Sequence, residues 1–150
     1  MLPDSLELVI VTPERQLLRE TVVEVNIPGA GGCLGILPGH APLITELGVG
    51  ELNYRAKNAS EAAHLAIISG FAEVVPDRVS VLAETAERPE EIDVARAEEA
   101  KTRAEERLAA AASDANVDWA RASAALQRAL TRLRVAELAG RRHSTSYRNP

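Results

Sequence analysis

The chain changes from one residue pattern to another near Glu87, and this change limits its possible folds more than any other feature. Before Glu87, apolar runs such as LELVIVTPE and HLAIISGFAEVVPD alternate with Gly, Pro, Asn or Asp. Such short, regularly spaced runs are typical of an antiparallel β-sandwich or barrel. After Glu87 the strong helix formers Ala, Glu, Arg and Leu prevail. The sequence therefore predicts a β domain followed by a helical part.

Local signals predict where the helices begin and end. Pro89 suits a first helical turn, so we expect the first helix to run from about Pro89 to Ala112. The segment SDANVD then interrupts the helical pattern, and Asp118 is a suitable N-cap for a second helix. We expect that helix to end at Gly140, since glycine commonly follows a helix C-terminus.

These signals divide the chain into three parts. Residues 1–87 form the β domain, residues 88–140 the helical hairpin, and residues 141–150 a flexible tail without apolar periodicity. Within the β domain, VVPDRVSV predicts a hairpin that turns at Pro76–Asp77, because proline presets φ and aspartate favours the turn.

Charge and small residues describe the helical hairpin further. Residues 84–107 carry nine acids and five bases, whereas residues 118–150 carry two acids and seven bases. These opposite charges favour two antiparallel helices in contact. Alanines fill both expected inner faces: Ala97, Ala100, Ala104 and Ala111 on one helix, Ala122, Ala125, Ala129 and Ala136 on the other. Alanine buries little area, so we expect a weakly held hairpin that is able to open.

Composition excludes several classes of function. Only 3% of the residues are aromatic and the net charge is −5, which argues against nucleic acid as a partner. The single cysteine, Cys33, excludes an internal disulfide and a thiolate metal cluster, and a small structural apolar residue is its expected role. We expect no signal peptide, no membrane span and no metal site, and therefore a cytoplasmic compartment.

The stretch GCLGILPGHAPLITELGVGEL, residues 32–52, looks like a site but lacks a nucleophile with a base, a phosphate loop or a metal-ligand pair. Its glycines permit unusual backbone angles, while Pro38 and Pro42 fix φ and remove hydrogen-bond donors. The stretch therefore predicts a tightly turned corner between strands and no catalytic residues. His40 within it has two possible roles, which are bonding to backbone groups or a contact or protonation role.

The same stretch resembles the signature of the epsilon subunit of rotary, F-type ATP synthases, approximately G-x-x-G-I-L-P-G-H-x-P-L. The resemblance continues through ISGFAEVVPDRVSVLAETAE and EEIDVARAEEAKTRAEERL to RALTRLRVAEL, and so covers nearly the whole chain. The chain departs from the family pattern at Ser69, where a second glycine is usual, and at Cys33, where a polar or acidic residue is common.

The resemblance implies a β-sandwich of about ten strands followed by an antiparallel two-helix hairpin. It implies a non-catalytic central-stalk subunit of a proton-translocating complex, peripheral at the cytoplasmic face of the cell (inner) membrane. The sandwich would bind the gamma subunit, and one end would rest on the membrane ring of c subunits. Candidate rotor contacts are then Gly31, Gly32, Cys33 and His40, although a turn that touches nothing is the alternative.

The segment IDVARA resembles the I/L-D-x-x-R-A motif with which some epsilon subunits bind ATP. Carried over position by position, the ATP site would be Glu87, Ile92, Asp93, Arg96, Arg103, Arg128 and Arg132. ATP would then be a regulatory signal, with no other cofactor required. The alternative is an ordinary i,i+3 pair of Asp93 with Arg96 and arginines on a solvated helix face.

The basic second helix suggests an inhibitory hypothesis. When the hairpin is extended, Arg121, Arg128, Arg132 and Arg134 would meet acidic surfaces of the catalytic alpha/beta hexamer and block ATP hydrolysis. Two alternatives remain open at this point. In one the helices only brace the stalk, and in the other the chain is a free-standing binder of a small ligand with a helical appendage.

Overall fold

The computed structural model describes the backbone of residues 1–145 and the side chains to Arg141. Within this range the chain divides into two compact units, one of residues 1–88 and one from Pro89 onward. The first unit contains the strands and the second contains the helices.

The described part of the first unit has six strands rather than about ten. They are β1 (Leu6–Val11), β2 (Gln16–Gly29), β3 (Gly32–Ile36), β4 (Leu43–Ala56), β5 (Ala63–Val75) and β6 (Arg78–Glu87). The number is lower than expected because β2, β4 and β5 are 13 or 14 residues long. The first half of β2 pairs with β1 and its second half pairs with β3 and β4, so one strand serves where two were expected.

β5 continues through Ser69 and Gly70, two residues whose backbone angles are unusual for a strand. Ser69 has a φ of 56° and Gly70 a φ of 132°, yet the pairing with β6 keeps its register on both sides of them. A Cβ on Gly70 would lie 2.1 Å from the Leu82 carbonyl oxygen, so only glycine fits there. The left-handed φ at Ser69 explains why a second glycine suits this position.

The strands close into a ring in the order β1–β6–β5–β4–β2, and β2 pairs again with β1. β3 pairs with β2 and is attached to this ring. Four neighbouring pairs of the ring are antiparallel, but β1 and β6 are parallel. In a closed ring of five strands not every neighbouring pair can be antiparallel, so at least one pair must be parallel. The expected antiparallel sandwich is therefore correct except at this closure.

The β domain has a hydrophobic core of its own. Alternate residues of each strand point inward, as in β1, where Leu6, Leu8 and Ile10 are buried and the residues between them are partly exposed. Ile67 from β5 and Leu52 from β4 join them in one cluster whose members all precede Arg88. Each large aliphatic side chain buried in this way contributes about 1.5–3 kcal/mol.

The turn between β5 and β6 confirms the prediction at Pro76–Asp77. Val75 pairs with Arg78, which leaves these two residues as the whole connection. The Asp77 carbonyl also accepts the Glu7 N–H at 2.9 Å, so the turn helps to anchor the start of β1.

The helical unit differs from prediction at its ends. Pro89–Glu91 forms a separate 3-10 helix, and α1 runs only from Val94 to Ala111 because Asp93 caps it. α2 runs from Trp119 to Thr145 with Asp118 as its cap, which confirms that cap. The predicted end at Gly140 was wrong, since a helical glycine costs only about 1 kcal/mol and the helix continues through it. Residues 141–145 of the predicted tail are thus helical, and residues 146–150 lie outside the described residues.

The contact between α1 and α2 is lined by small side chains. Ala97 and Ala104 are buried on α1, and Ala122 and Ala129 are buried on α2 at the same seven-residue spacing. Val135 is the large aliphatic residue buried on α2. The other predicted alanines are half-buried: Ala100, Ala111, Ala125 and Ala136. The predicted contact through alanines therefore forms, but only four of the eight predicted alanines are buried in it.

Candidate functional sites

The Gly/Pro-rich corner between β3 and β4 is held by backbone hydrogen bonds. Gly39 donates its N–H to the Pro76 carbonyl at 2.7 Å, and His40 donates its N–H to the Leu37 carbonyl at 3.1 Å. Gly39 has a φ of 85°, and a Cβ on it would lie 2.7 Å from Cδ2 of Leu2. The structure thus confirms a tight corner.

His40 is half-buried and makes a local hydrogen bond. Its Nδ1 lies 2.7 Å from the Ala41 carbonyl oxygen, and because a carbonyl only accepts, the ring nitrogen donates. This contact corresponds to the first of the two predicted roles, bonding to backbone groups.

The other three rotor-contact candidates lie where β3 begins: Gly31 is in the turn after β2, and Gly32 and Cys33 are the first two residues of β3. Gly31, Gly32 and Cys33 are exposed, and the backbone of this turn is tied to β4 by the Ala30 N–H, which donates to the Glu46 carbonyl at 2.9 Å. The five-residue strand β3 separates this turn from the corner that holds His40, a span of about 16 Å. The four candidates are therefore two separate groups at opposite ends of β3.

An exposed apolar surface on the β domain was missed by the sequence interpretation. Ile44 on β4, Phe71 on β5 and Leu82 on β6 are 74%, 57% and 59% exposed, and we call these three residues the apolar face. Phe71 lies directly opposite Leu82, and Ile44 lies opposite Glu73, two residues along β5 from Phe71. The segments SGFAEVV and VSVLAE do indicate such a surface, because in each of them apolar residues fall on both faces of the strand.

The residues carried over from the ATP motif fall in both units. Glu87 is the last residue of β6 in the first unit, and the other six belong to the second unit. Ile92 is buried, whereas the side chains of Arg96 and Arg103 are exposed on α1. The Asp93 carboxylate accepts the Arg96 N–H at 3.0 Å, so it caps the helix.

The arginines of α2 differ in their exposure. Arg128 and Arg132 are half-buried, while Arg121 and Arg134 are exposed. Arg121 lies in the first turn of α2 and lines a shallow groove together with Arg107 of α1, Val117, Asp118 and Ala122. The groove places two guanidinium groups beside the connection between the helices.

Two other kinds of site are absent from the part of the chain that the structure describes. Among the side chains described, those of residues 1–141, no three His, Cys, Asp or Glu are grouped so as to hold a metal ion. Neither described helix is long and apolar enough to cross a membrane.

Comparison with known proteins follows the same division of the chain. Residues 5–89 match the model of the ATP synthase Delta/Epsilon chain β-sandwich domain, and residues 90–137 match that of its long α-helix domain. Neither description names a cofactor.

Individual relatives agree with the family models. The chain is 58% identical to the ATP synthase epsilon chain of Koribacter versatilis over 105 residues, which are 70% of this chain and 72% of that protein. It is 48% identical to the epsilon chain of Solibacter usitatus over 136 residues, covering 91% and 98% of the two chains. A chain of the Euglena gracilis mitochondrial ATP synthase (OSCP/F1/c-ring) has the same fold, with a TM-score of 0.75 and 23% identity over 93% of this chain and 83% of that one.

Proposed function

This chain belongs to the ATP synthase epsilon-chain family, whose members are non-catalytic subunits of the complex, and from this premise we propose that it is a rotor subunit of the central stalk. The proposed subunit couples the catalytic head of a proton-translocating ATP synthase to the c-ring at the cytoplasmic face of the membrane. Its hairpin restrains ATP hydrolysis and senses ATP.

The observation that carries the rotor proposal is the apolar face. Ile44, Phe71 and Leu82 are large, exposed and grouped on three neighbouring strands. Large exposed apolar side chains grouped in this way are typical of a protein interface, and here Glu46 opposite Phe71 and Glu73 opposite Ile44 give the surface a polar component. The gamma subunit is the proposed occupant, and a rigid β domain beneath the face suits a contact that must carry torque.

Capture of purified gamma subunit by the tagged full-length chain tests this contact. Phe71→Glu should weaken capture at least tenfold, because it buries a charge in the interface. Leu37→Glu is the matched control, since Leu37 is 58% exposed on the same domain but lies in the corner outside the apolar face. Equal loss with both variants would contradict a specific contact. Failure of the unaltered chain to bind gamma would favour the free-standing ligand binder.

The c-ring contact is proposed for the two ends of β3. The turn with Gly31, Gly32 and Cys33 is open, and a Cβ added to Gly31 or Gly32 meets nothing within 4 Å. The corner with His40 is fixed by the hydrogen bonds described above. Both groups suit contact with a broad surface better than insertion into a narrow cleft, because β3 separates them.

The inhibitory role of the hairpin is supported by its small buried side chains and by the arginines of α2, two of them exposed and two half-buried. Helices joined through alanines lose little apolar contact when they separate. Arg121, Arg128, Arg132 and Arg134 then offer guanidinium groups that pair well with carboxylates of the alpha/beta hexamer.

Removal of residues 89–150 tests inhibition in the assembled complex. Arg88 is kept because its Nη2 donates to the Leu17 carbonyl at 2.7 Å and secures the end of β6. We expect unchanged assembly and a severalfold rise in ATP hydrolysis. Replacing the four arginines by Ala should have the same effect, whereas Arg141→Ala, an exposed arginine paired with Glu137, should not. Unchanged hydrolysis would favour helices that only brace the stalk.

ATP sensing is supported by Arg96 and Arg103 on α1 and by Arg128 and Arg132 on α2. These four residues supply guanidinium groups from both helices, and guanidinium groups suit a polyphosphate. Calorimetric titration of the isolated chain should show binding of ATP in preference to ADP. Arg96→Ala should abolish it, while Arg107→Ala, an exposed α1 arginine outside the set, should not. No binding at millimolar ATP would remove the sensing role.

A further inference from the structure

Two exposed carboxylates lie beside the apolar face of the β domain. Glu46 on β4 lies directly opposite Phe71, which in turn lies opposite Leu82 on β6. Glu84 follows Leu82 by two residues, and both are exposed between buried neighbours, so they lie on the same face of β6. The two carboxylates therefore flank the pair of Phe71 and Leu82.

These two carboxylates differ from the third acid of this surface, Glu73. Oε1 of Glu73 lies 3.8 Å from Nη2 of Arg78, so a base of the same chain offsets its charge. Among the described side chains, neither Glu46 nor Glu84 makes a hydrogen bond or an ion pair through its carboxylate. Their negative charges face solvent without a counter-charge from the described part of the chain.

The strand segments that carry the apolar face are poor in bases. Residues 43–47, 71–75 and 78–84 contain three glutamates and one arginine. Because charges of one sign beside a surface create a potential that extends into solvent, the border of the apolar face attracts cations. The surface thus combines an apolar centre with a negative border.

Carboxylates beside an exposed apolar surface have two physical explanations. In the first, the charge only keeps the uncovered surface soluble. In the second, the charge selects a partner, since interfaces combine an apolar centre with a polar rim and match charges of opposite sign across it. An unpaired carboxylate that a partner covers is costly unless the partner brings a cation to it. Glu46 and Glu84 are placed where any partner that covers Phe71 must meet them.

We propose that the partner on the apolar face presents two Lys or Arg side chains, one to Glu46 and one to Glu84, around an apolar contact with Phe71. Neighbouring strands are about 4.8 Å apart and each residue advances a strand by about 3.3 Å, so the two glutamate Cα atoms are roughly 12 Å apart. The two cations of the partner need a similar spacing. This inference rests on the proposed gamma contact and assigns its charge specificity to these two glutamates.

Glutamine substitutions test the charge of the border without changing its shape. Glu46→Gln and Glu84→Gln remove the charge and keep the size and polarity of the side chain. The affinity of the full-length chain for purified gamma subunit is measured at about 0.1 M and at about 1 M salt, where the Debye length falls from about 10 to about 3 Å. The double variant should bind at least about fivefold more weakly at low salt and within about twofold of the unaltered chain at high salt.

Glu61→Gln is the matched control. Glu61 is exposed and lies in the connection between β4 and β5, at the end of these strands opposite to Ile44 and Phe71. The substitution removes one charge from the same domain, so it should leave the affinity within about twofold at both salt concentrations. A loss equal to that of Glu46→Gln would show that the total charge of the domain, and not the position of the carboxylate, explains the effect. That result would overturn the proposal.

Two further results with gamma would also overturn it. If the double variant binds like the unaltered chain at low salt, the carboxylates only keep the surface soluble. If its loss of affinity persists in full at high salt, the two glutamates do not act through their charge.

A second probe, the ATP synthase complex stripped of its epsilon chain, separates this inference from the proposed function. Gamma bound equally by the unaltered chain and the double variant would leave the gamma contact intact and overturn the inference. Capture of the stripped complex but not of gamma, with the loss expected for the double variant, would overturn the gamma contact and support the charge inference for another subunit. Capture of neither probe would overturn both.

Discussion

The β domain and the helical hairpin are stabilised by side chains of different size. The buried residues of the β domain include Leu8, Ile10, Leu52 and Ile67, whereas the hairpin buries alanines with Val135 and Ile92. Burial contributes about 0.8 kcal/mol for each CH₂ group, so a seam of alanines gains much less than a leucine and isoleucine core. The comparison indicates that the hairpin gains less free energy from apolar burial than the β domain does.

The two regions also differ in how their contacts are spaced along the chain. The ring closes only when β6 reaches β1, about 70 residues earlier, so the strands depend on one another. The helices are consecutive and are connected by a short segment. A local disturbance of a strand should therefore affect the whole β domain, while one in the hairpin should stay within the hairpin.

The largest effect is expected for Gly70→Ala. The added Cβ would lie 2.1 Å from the Leu82 carbonyl oxygen and 2.8 Å from the Ala83 Cα, at a φ of 132° that alanine rarely adopts. We expect a loss of at least about 4 kcal/mol in the free energy of unfolding, measured by urea denaturation of the β domain. Gly31→Ala, where a Cβ meets nothing within 4 Å, should change it by less than about 1 kcal/mol.

Next in size is Leu52→Ala in β4. Leu52 is fully buried, so truncation removes apolar contacts and leaves a cavity, at a cost of about 2–5 kcal/mol. Because the ring closes as a unit, urea unfolding should move to lower concentration for strands on both sides of β4. A loss restricted to β4 itself would contradict the cooperativity assigned to the β domain.

A smaller and more local effect is expected for Val135→Ala in α2. Val135 is fully buried in the hairpin, and its truncation should cost about 1–2 kcal/mol. Amide exchange in α1 and α2 should accelerate while protection in the six strands is unchanged. Equal acceleration in the strands would remove the distinction between the two regions.

How far the sequence predicted this structure differs between the same two regions. The Pro76–Asp77 turn and the Asp118 cap were predicted because each depends on a few adjacent residues. The number of strands was not, because the continuation of β5 through Ser69 depends on pairing with β6. The end of α2 was not predicted either, since the cost of a helical glycine, about 1 kcal/mol, is too small to end the helix at Gly140.

The candidate sites show the same limit. Spacing predicted which arginines lie on α2, but not that Arg128 is half-buried while Arg121 is exposed. The apolar face was missed because strand alternation shows that both faces carry apolar residues, without showing which face remains uncovered. The capping role of Asp93 was hidden by the expectation that α1 begins at Pro89.

The smallest effect is expected at the surface of the β domain, for Asp4→Asn. The Lys57 ammonium donates to the Asp4 carboxylate at 3.1 Å and lowers the pKa of Asp4 below its ordinary 3.8, with a further contribution from the Ser5 hydroxyl. A lowered pKa stabilises the fold above pH 3.8, and this contribution is lost as the pH falls through the lowered value.

Urea midpoints of the unaltered chain and Asp4→Asn, measured from neutral to acid pH, check this sign. The small advantage of the unaltered chain should be constant near neutrality and vanish at the acid end. An advantage that grows as the pH falls would contradict it. Added salt should reduce it at neutral pH, since exposed ion pairs are screened.

Native-state hydrogen exchange of the full-length chain at increasing urea tests the central contrast most directly. The account predicts that amides of α1 and α2 exchange through an opening that costs at least about 2 kcal/mol less than exchange of β4 and β5, while the strands stay protected. If helix and strand amides exchange with the same opening free energy and the same urea dependence, the account is contradicted. The hairpin would then open only when the β domain unfolds.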